Sequence, residues 1–154
     1  MTIEIRRATP EEAATLTEIS HAAKSHWGYP EHWIEHWQTD LTITAQFIAK
    51  NEVYVASQGE EISGFYALVA GEGNAELEHM WVRPERIGTG IGKELFIHAM
   101  QSATSLAVAA VEITADPNAE GFYQRMGAQR IAEVRSEFDG ELRLLPRLVV
   151  DPNP

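Results

Sequence analysis

The segment from Val82 to Gly92 reads V-R-P-E-R-I-G-T-G-I-G and places glycine at every second position, at Gly88, Gly90 and Gly92, directly before a helical pattern that starts near Ile91. Glycines so spaced let the backbone turn with its amides exposed and no β-carbons in the way, and a helix N-terminus behind them adds further free N–H groups. The fold must therefore feed a strand into this loop and a helix out of it, and the loop is built to hold phosphate. Its neighbours agree. From His79 to Lys93 the chain carries Arg83, Arg86 and Lys93 against one acid, Glu85, although the whole sequence has a formal charge of −11. A basic loop in so acidic a chain fits a polyanionic ligand.

Spacing narrows the ligand. A P-loop needs glycine five residues before its Gly-Lys pair and Ser or Thr after the lysine, but Ile87 and Glu94 hold those places here. A dinucleotide fingerprint needs G-x-G-x-x-G in a parallel βαβ unit, whereas this loop is G-x-G-x-G after antiparallel strands. A plain turn would not need three glycines, each costing about 0.5–1 kcal/mol of folding entropy.

The chain of 154 residues suits one domain, 1–154, with one sizeable core. An apolar content of 44%, no apolar run of membrane length and no signal-peptide pattern lead us to expect a cytoplasmic protein without a membrane partner. The absence of cysteine removes disulfides, thiolate metal sites and a cysteine nucleophile. The charge of −11, with no basic face, argues against nucleic acid as a partner and favours encounter with cationic acceptors.

Along the chain, alternation in I-E-I-R-R-A predicts a strand from Ile3. Thr9-Pro10-Glu11-Glu12 supplies a cap, a first-turn proline and a capping-box acid for a helix to about Ser25. From Trp27 to Lys50, broken by Gly28 and Pro30, two short helices are expected, one from Pro30 and one starting near Thr42 or Thr44. Runs from Val53 to Ser57, Ile62 to Ala70 and Ala75 to Val82 read as an antiparallel meander. Ile91, Leu95, Ala99 and Ala103 then recur every four residues, predicting an amphipathic helix to near Leu106. A strand from Val108 to Ala115, a helix from Ala119 to Met126 and two strands around Asp139-Gly140 follow.

The stretch L-E-H-M-W-V-R-P-E-R-I-G-T-G-I-G-K-E-L-F, followed by D-P-N-A-E-G-F-Y-Q-R-M-G-A, resembles the GNAT-type N-acetyltransferase superfamily, over about Ile3 to Val150. The resemblance implies an α/β (α+β) fold: a central mixed, mostly antiparallel sheet of about seven strands flanked by helices. It also implies acetyl-coenzyme A (acetyl-CoA) as co-substrate, no metal, and N-acetylation of a primary amine by direct attack in a ternary complex. By position, the backbone of Ile87, Gly88, Thr89, Gly90, Ile91 and Gly92, with Lys93, would bind the pyrophosphate, and Met80, Trp81 and Val82 would pair with the pantetheine arm. Two positions depart from the family. Ile87 stands where Arg or Gln is usual, and Asp116 stands where Asn is frequent, so Asn118 is taken as the cofactor contact.

The same resemblance gives Tyr123 as proton donor to the thiolate and as a cofactor contact, and places oxyanion donors at a β-bulge near Met80. Glu78 and His79 are the candidate bases, Glu78 first. The acceptor wall would lie in the aromatic segment from Lys24 to Trp37, with Trp27, Tyr29 and Trp33 as substrate-binding residues. Each has a plainer alternative: a core tyrosine beside Phe122, solvated strand residues, ordinary aromatic packing. Two other functions stay open. One is a non-catalytic acyl-CoA-binding sensor, and the other a zinc metallopeptidase using His32-x-x-Glu35-His36. Paired C-terminal strands also offer an edge on which a second copy would form a homodimer.

Overall fold

The computed structural model describes residues 2–153, so both ends of the domain expected over 1–154 lie outside the described residues. Strands β1 (Ile3–Arg7), β2 (Glu52–Gln58), β3 (Glu61–Ala70), β4 (Asn74–Val82), β5 (Ala110–Thr114), β6 (Gln129–Phe138) and β7 (Glu141–Val150) form one seven-stranded sheet in the order β1-β2-β3-β4-β5-β7-β6. Every neighbouring pair is antiparallel except β4 with β5. The mixed sheet flanked by helices is the arrangement the resemblance implies.

Helices α1 (Ala13–His26), α2 (Glu31–His36), α3 (Gln38–Leu41) and α4 (Ala45–Lys50) lie between β1 and β2, whereas α5 (Ile91–Ser105) and α6 (Glu120–Arg125) flank β5. Two apolar clusters cover the two faces of the sheet. Leu16 and Ile19 of α1 and Ile48 of α4 pack with Val53, Val55, Phe65 and Ala67, whereas Ile91, Leu95, Ala99 and Ala103 of α5 pack with Tyr66, Leu68, Val111 and Leu148. Phe65 and Ala67 thus face one side and Tyr66 and Leu68 the other, which is why β3 reads as an almost unbroken apolar run. The i, i+4 row of α5 is fully buried, as its periodicity predicts.

The helical region before β2 differs from expectation. It holds three short helices rather than two, because the chain leaves helical geometry at Trp37 (φ −84°, ψ 3°) and restarts at once. The third begins after Thr44, whose hydroxyl accepts the Phe47 N–H at 3.0 Å. At the first helix Glu12 accepts the Thr9 N–H at 2.9 Å, but Pro10–Glu12 forms a 3₁₀ turn before the α-helix begins.

Two features of β4 shape the middle of the sheet. Ala67 pairs with His79 and Leu68 with Leu77, so Glu78 is an extra, unpaired residue: the bulge expected near Met80 lies two residues earlier. It switches the side-chain parity of the strand. Ala75 and Leu77 before it and Met80 and Val82 after it all face the α5 cluster, whereas Trp81 turns to the opposite one. The second feature is the short parallel contact, in which only Asn74, Ala75 and Glu76 pair with β5. Beyond them β4 stays on β3 as far as Val82, β5 stays on β7 as far as Thr114, and the two strands part.

Gly64 sits where β3 passes closest to β4: a β-carbon there would lie 2.7 Å from the Trp81 carbonyl and 3.2 Å from Leu95 Cδ1. Gly64→Ala is expected to lower stability by about 1–3 kcal/mol, the usual cost of overpacking a filled core. A urea unfolding midpoint equal to the parent's would show that the sheet absorbs the methyl group.

Candidate active site

The parting of β4 and β5 opens a cleft of about 810 Å³ that runs between the two faces of the sheet. At one end stands the glycine loop. A 3₁₀ turn, Pro84–Arg86, leads from β4 into it, and Gly88 and Gly90 adopt φ of 83° and 91°. A β-carbon at either would meet nothing within 4 Å, so what glycine supplies here is the left-handed backbone and an open approach to it. Among the described residues the amides of Gly88 and Gly90 donate to no carbonyl. Those of Ile91, Gly92 and Lys93 belong to the first turn of α5, where an α-helix has no internal acceptors to offer. This run of free donors fits the pyrophosphate of acetyl-CoA. At Gly92 a β-carbon would lie 3.5 Å from the Phe122 ring, an ordinary contact.

The basic residues of the loop divide. Arg83 turns away from the cleft, donating to the Ile62 carbonyl at 2.7 Å and pairing with Glu18 at 3.1 Å. Arg86, Lys93 and, from α6, Arg125 line the cleft. Ile87 is 51% exposed and Ile91 is buried in the core, so what the loop offers to an anion is mainly its backbone. Thr89 bonds back to the Arg86 carbonyl and does not line the cleft.

Met80, Trp81 and Val82 pair with β3 on one edge and present the other to the cleft, where β5 has left them. The facing wall is built from the end of β5, the turn Pro117–Ala119 and α6, which brings Tyr123 to the lining. Burial first, and then the nearby Asp116, push the Tyr123 phenol well above its ordinary pKa, so it stays protonated.

Glu78 and His79 both line the cleft but differ in chemistry. Partial desolvation and then the charge of Glu76 raise the Glu78 carboxyl above its ordinary pKa of 4.5. Burial pushes the His79 imidazole down to about 4, with Asp40 pulling weakly the other way. Its Nδ1 accepts the Trp81 indole N–H at 3.0 Å, and because an indole only donates, that nitrogen's lone pair is already engaged.

The other end of the cleft holds a cluster that no local pattern announces. Asp116 accepts from Lys24 Nζ at 2.6 Å, from the Tyr29 hydroxyl at 2.9 Å, and from the main-chain and side-chain N–H groups of Asn118 at 2.8 and 2.9 Å. Burial alone would raise its pKa, but Lys24 and these donors hold the carboxyl below its ordinary value. Lys24 is lowered, by burial above all. Asn118 therefore lines the cleft with its amide already committed to Asp116 and, at 3.2 Å, to Tyr29.

Of the three aromatics expected in the acceptor wall, only Trp27 lines the cleft, together with Trp37. Tyr29 and Trp33 lie behind it: Tyr29 is held by Asp116, and Trp33 is 7% exposed, stacked on Tyr29 with its indole N–H donated to Asp139. Arg143 was not anticipated as a lining residue, whereas Lys24 and Trp37 bound the segment expected to form the acceptor wall and Asp116 was the alternative to Asn118. Contacts such as Lys24 to Asp116, which spans 92 positions, leave no trace in spacing. The histidines of the metallopeptidase motif are occupied by the C-terminal hairpin. His32 bonds Asp139 at 2.8 Å and His36 stacks on Phe138 with ring centroids 3.8 Å apart. Among the described residues no group of His, Asp or Glu gathers to hold a metal ion.

Known proteins agree with this geometry. The family model described as an acetyltransferase (GNAT) domain matches residues 9–144. A GCN5-related N-acetyltransferase from Rhodopseudomonas palustris superposes with a TM-score of 0.81 at 20% identity, covering 98% of this chain and 96% of that one. The PaiA N-acetyltransferase of Thermoplasma acidophilum, in complex with coenzyme A, gives 0.76 at 21% identity over 98% and 99% of the two chains. The yncA product of Salmonella typhimurium, a putative acetyltransferase with its cofactor acetyl-CoA, gives 0.74 at 15% identity over 100% and 96%. No curated protein matches the sequence. With its glycine loop, parted strands and family match over most of its length, the chain belongs to the GNAT acetyltransferase family.

Proposed function

We propose that the protein is an N-acetyltransferase that moves the acetyl group of acetyl-CoA to a primary amine of a small molecule or peptide by direct attack in a ternary complex. The observation that carries this reading is the opening between β4 and β5, with free loop amides at one end and a protonated phenol and an unpaired carboxylate within. Acetyl-CoA supplies an activated thioester carbonyl and a thiolate leaving group. The free amides of Gly88, Gly90, Ile91, Gly92 and Lys93 hold the pyrophosphate, those of Ile87 and Thr89 being engaged by the Pro84 and Arg86 carbonyls, and the free edge from Met80 to Val82 aligns the pantetheine arm like an added strand.

Glu78 takes the proton of the attacking amine, directly or through a water, its raised pKa bringing it closer to the working pH. His79, already engaged by Trp81 and titrating near 4, orients the strand instead of acting as base. Main-chain N–H groups beside the bulge meet the developing oxyanion, and the Tyr123 hydroxyl returns a proton to the departing sulfur. No helix among the described residues is long and apolar enough to cross a membrane, and we place the enzyme in the cytoplasm, acting as one acetyltransferase domain. The outer edge of β6, beside the exposed Ile131, supports pairing with a second copy.

Isothermal titration should give saturable binding of acetyl-CoA, and an amine panel should release free thiol; no heat at near-millimolar acetyl-CoA would defeat the proposal. Binding without turnover on any amine would favour the non-catalytic sensor.

Glu78→Gln is expected to lower kcat about 10²–10⁴-fold, the range for a lost general base. Protonating Glu78 removes the base, so parent kcat/KM should fall with decreasing pH through a pKa above 4.5. In the variant that limb should vanish and leave only the limb of the substrate amine. An unchanged profile would exclude Glu78.

Tyr123→Phe should reduce kcat by about 10²-fold or more through loss of the acid, with acetyl-CoA affinity essentially retained. Parent-like turnover across the panel would remove Tyr123 from the mechanism.

A further inference from the structure

The acceptor end of the cleft carries a surplus positive charge. Lys24, Asp116 and Arg143 are gathered there with side chains only 12%, 8% and 13% exposed, two cations sharing one carboxylate. Asp116 is already saturated by Lys24, Tyr29 and Asn118. Arg143 reaches it only at 3.9 Å, and its one side-chain hydrogen bond among the described residues goes to the Tyr29 hydroxyl at 2.8 Å, a neutral partner. The other acids of the cleft, Asp40 and Glu78, form no ion pair with Arg143. A guanidinium has five N–H donors, so most of this one's remain free.

Arg143 is also held rigidly. Its Cζ lies 5.0 Å from the ring centroids of both Tyr29 and Trp37, and Lys24 Nζ lies 4.4 Å from that of Trp37, so one indole lies beside both cations. Arg143 stands on the same face of β7 as Leu145, paired with Ser136 of β6, and all three line the cleft. This is the face carrying Tyr29 and Trp37, opposite the α5 side on which the glycine loop would hold acetyl-CoA. The free donors therefore point to the acceptor rather than the pyrophosphate.

From this surplus we infer that the acceptor amine carries a carboxylate, as an amino acid or similar amino-carboxylate does, and that Arg143 is the specificity-determining residue that receives it. A planar carboxylate matches the guanidinium fork, and a single negative charge cancels the single uncompensated positive one, which a dianionic phosphate would overshoot. The amine end then extends toward Glu78, and Trp27 and Trp37 bound the side chain. The net charge of −11 governs encounter at long range, and this local reversal governs what fits.

The inference rests on the acetyl-transfer reading, and the test separates the two. A panel of amino acids and their α-carboxamides, assayed by thiol release, should show the acids preferred by about 10²-fold or more in kcat/KM, because an amide leaves a buried charge unpaired. Arg143→Gln should bring acid and amide within a few-fold of each other while its acetyl-CoA affinity stays at the parent value. Arg143→Lys, which keeps the charge without the fork, should retain part of the preference. If no amine is acetylated, titration of N-acetylamino acids against their amides into the coenzyme A-loaded parent protein reads the same preference as affinity and needs no variant to fold. Preference for the amides, for simple cationic amines or for phosphorylated amines in the parent protein would overturn the assignment, as would discrimination that survives in Arg143→Gln.

Discussion

Two strands that pair over only three residues and then separate set the terms for everything else in this molecule. A sheet normally satisfies its backbone polar groups by continuous pairing, and an unpaired edge in its interior is costly unless something completes it. Here β4 is fixed by β3 and β5 by β7, so neither strand can turn back to the other. The opening is a property of the framework, and the edge from Met80 to Val82 stays unpaired on the cleft side. The glycine loop continues the logic at the next step of the chain, exchanging strand amides for loop amides and then for those of the first turn of α5.

Keeping such an opening from collapsing requires material on both walls. On the far wall the Lys24 to Asp116 pair ties α1 to the turn after β5, and both side chains are nearly buried. Burying two charges costs several kcal/mol per ion before their attraction and added hydrogen bonds repay it. Asp116 offsets part of that cost with further donors, since the hydroxyl of Tyr29 and the main-chain and side-chain N–H groups of Asn118 converge on it. The same cluster leaves Arg143 undersupplied with acceptors. Structural support and the acceptor recognition inferred above thus draw on one set of charges.

What could be read from the sequence was what is local. The buried row of α5, the antiparallel meander of β2 to β4 and the glycine loop before α5 follow from short-range patterns. The break at Trp37 was not legible, because it follows from packing: Trp33 and Trp37 meet edge to face at 5.7 Å, and Trp33 also packs on Phe138 of the C-terminal hairpin. That contact turned Trp33 into a core residue and left Trp37 on the cleft, reversing the expectation for the acceptor wall. The departure at Asp116 was visible as a residue. Its consequence, that Asn118 is bound to a buried carboxylate, was invisible without the fold.

The bulge links these levels. The irregular alternation of L-E-H-M-W-V signals a bulge without locating it, because either Glu78 or Met80 as the extra residue would disturb the pattern. Its position decides that Glu78, and not His79, leaves the ladder. Outside the ladder, Glu78 lies at the cleft, where among the described residues no cation pairs with it and desolvation raises its pKa, whereas His79 returns to pairing, beside Phe47 and Phe65, where burial lowers its pKa. Had the extra residue been His79, Glu78 would have re-entered the ladder and the imidazole would have gained the freer position. One inserted residue therefore sets the strand's parity and, in the mechanism proposed above, makes Glu78 rather than His79 the base.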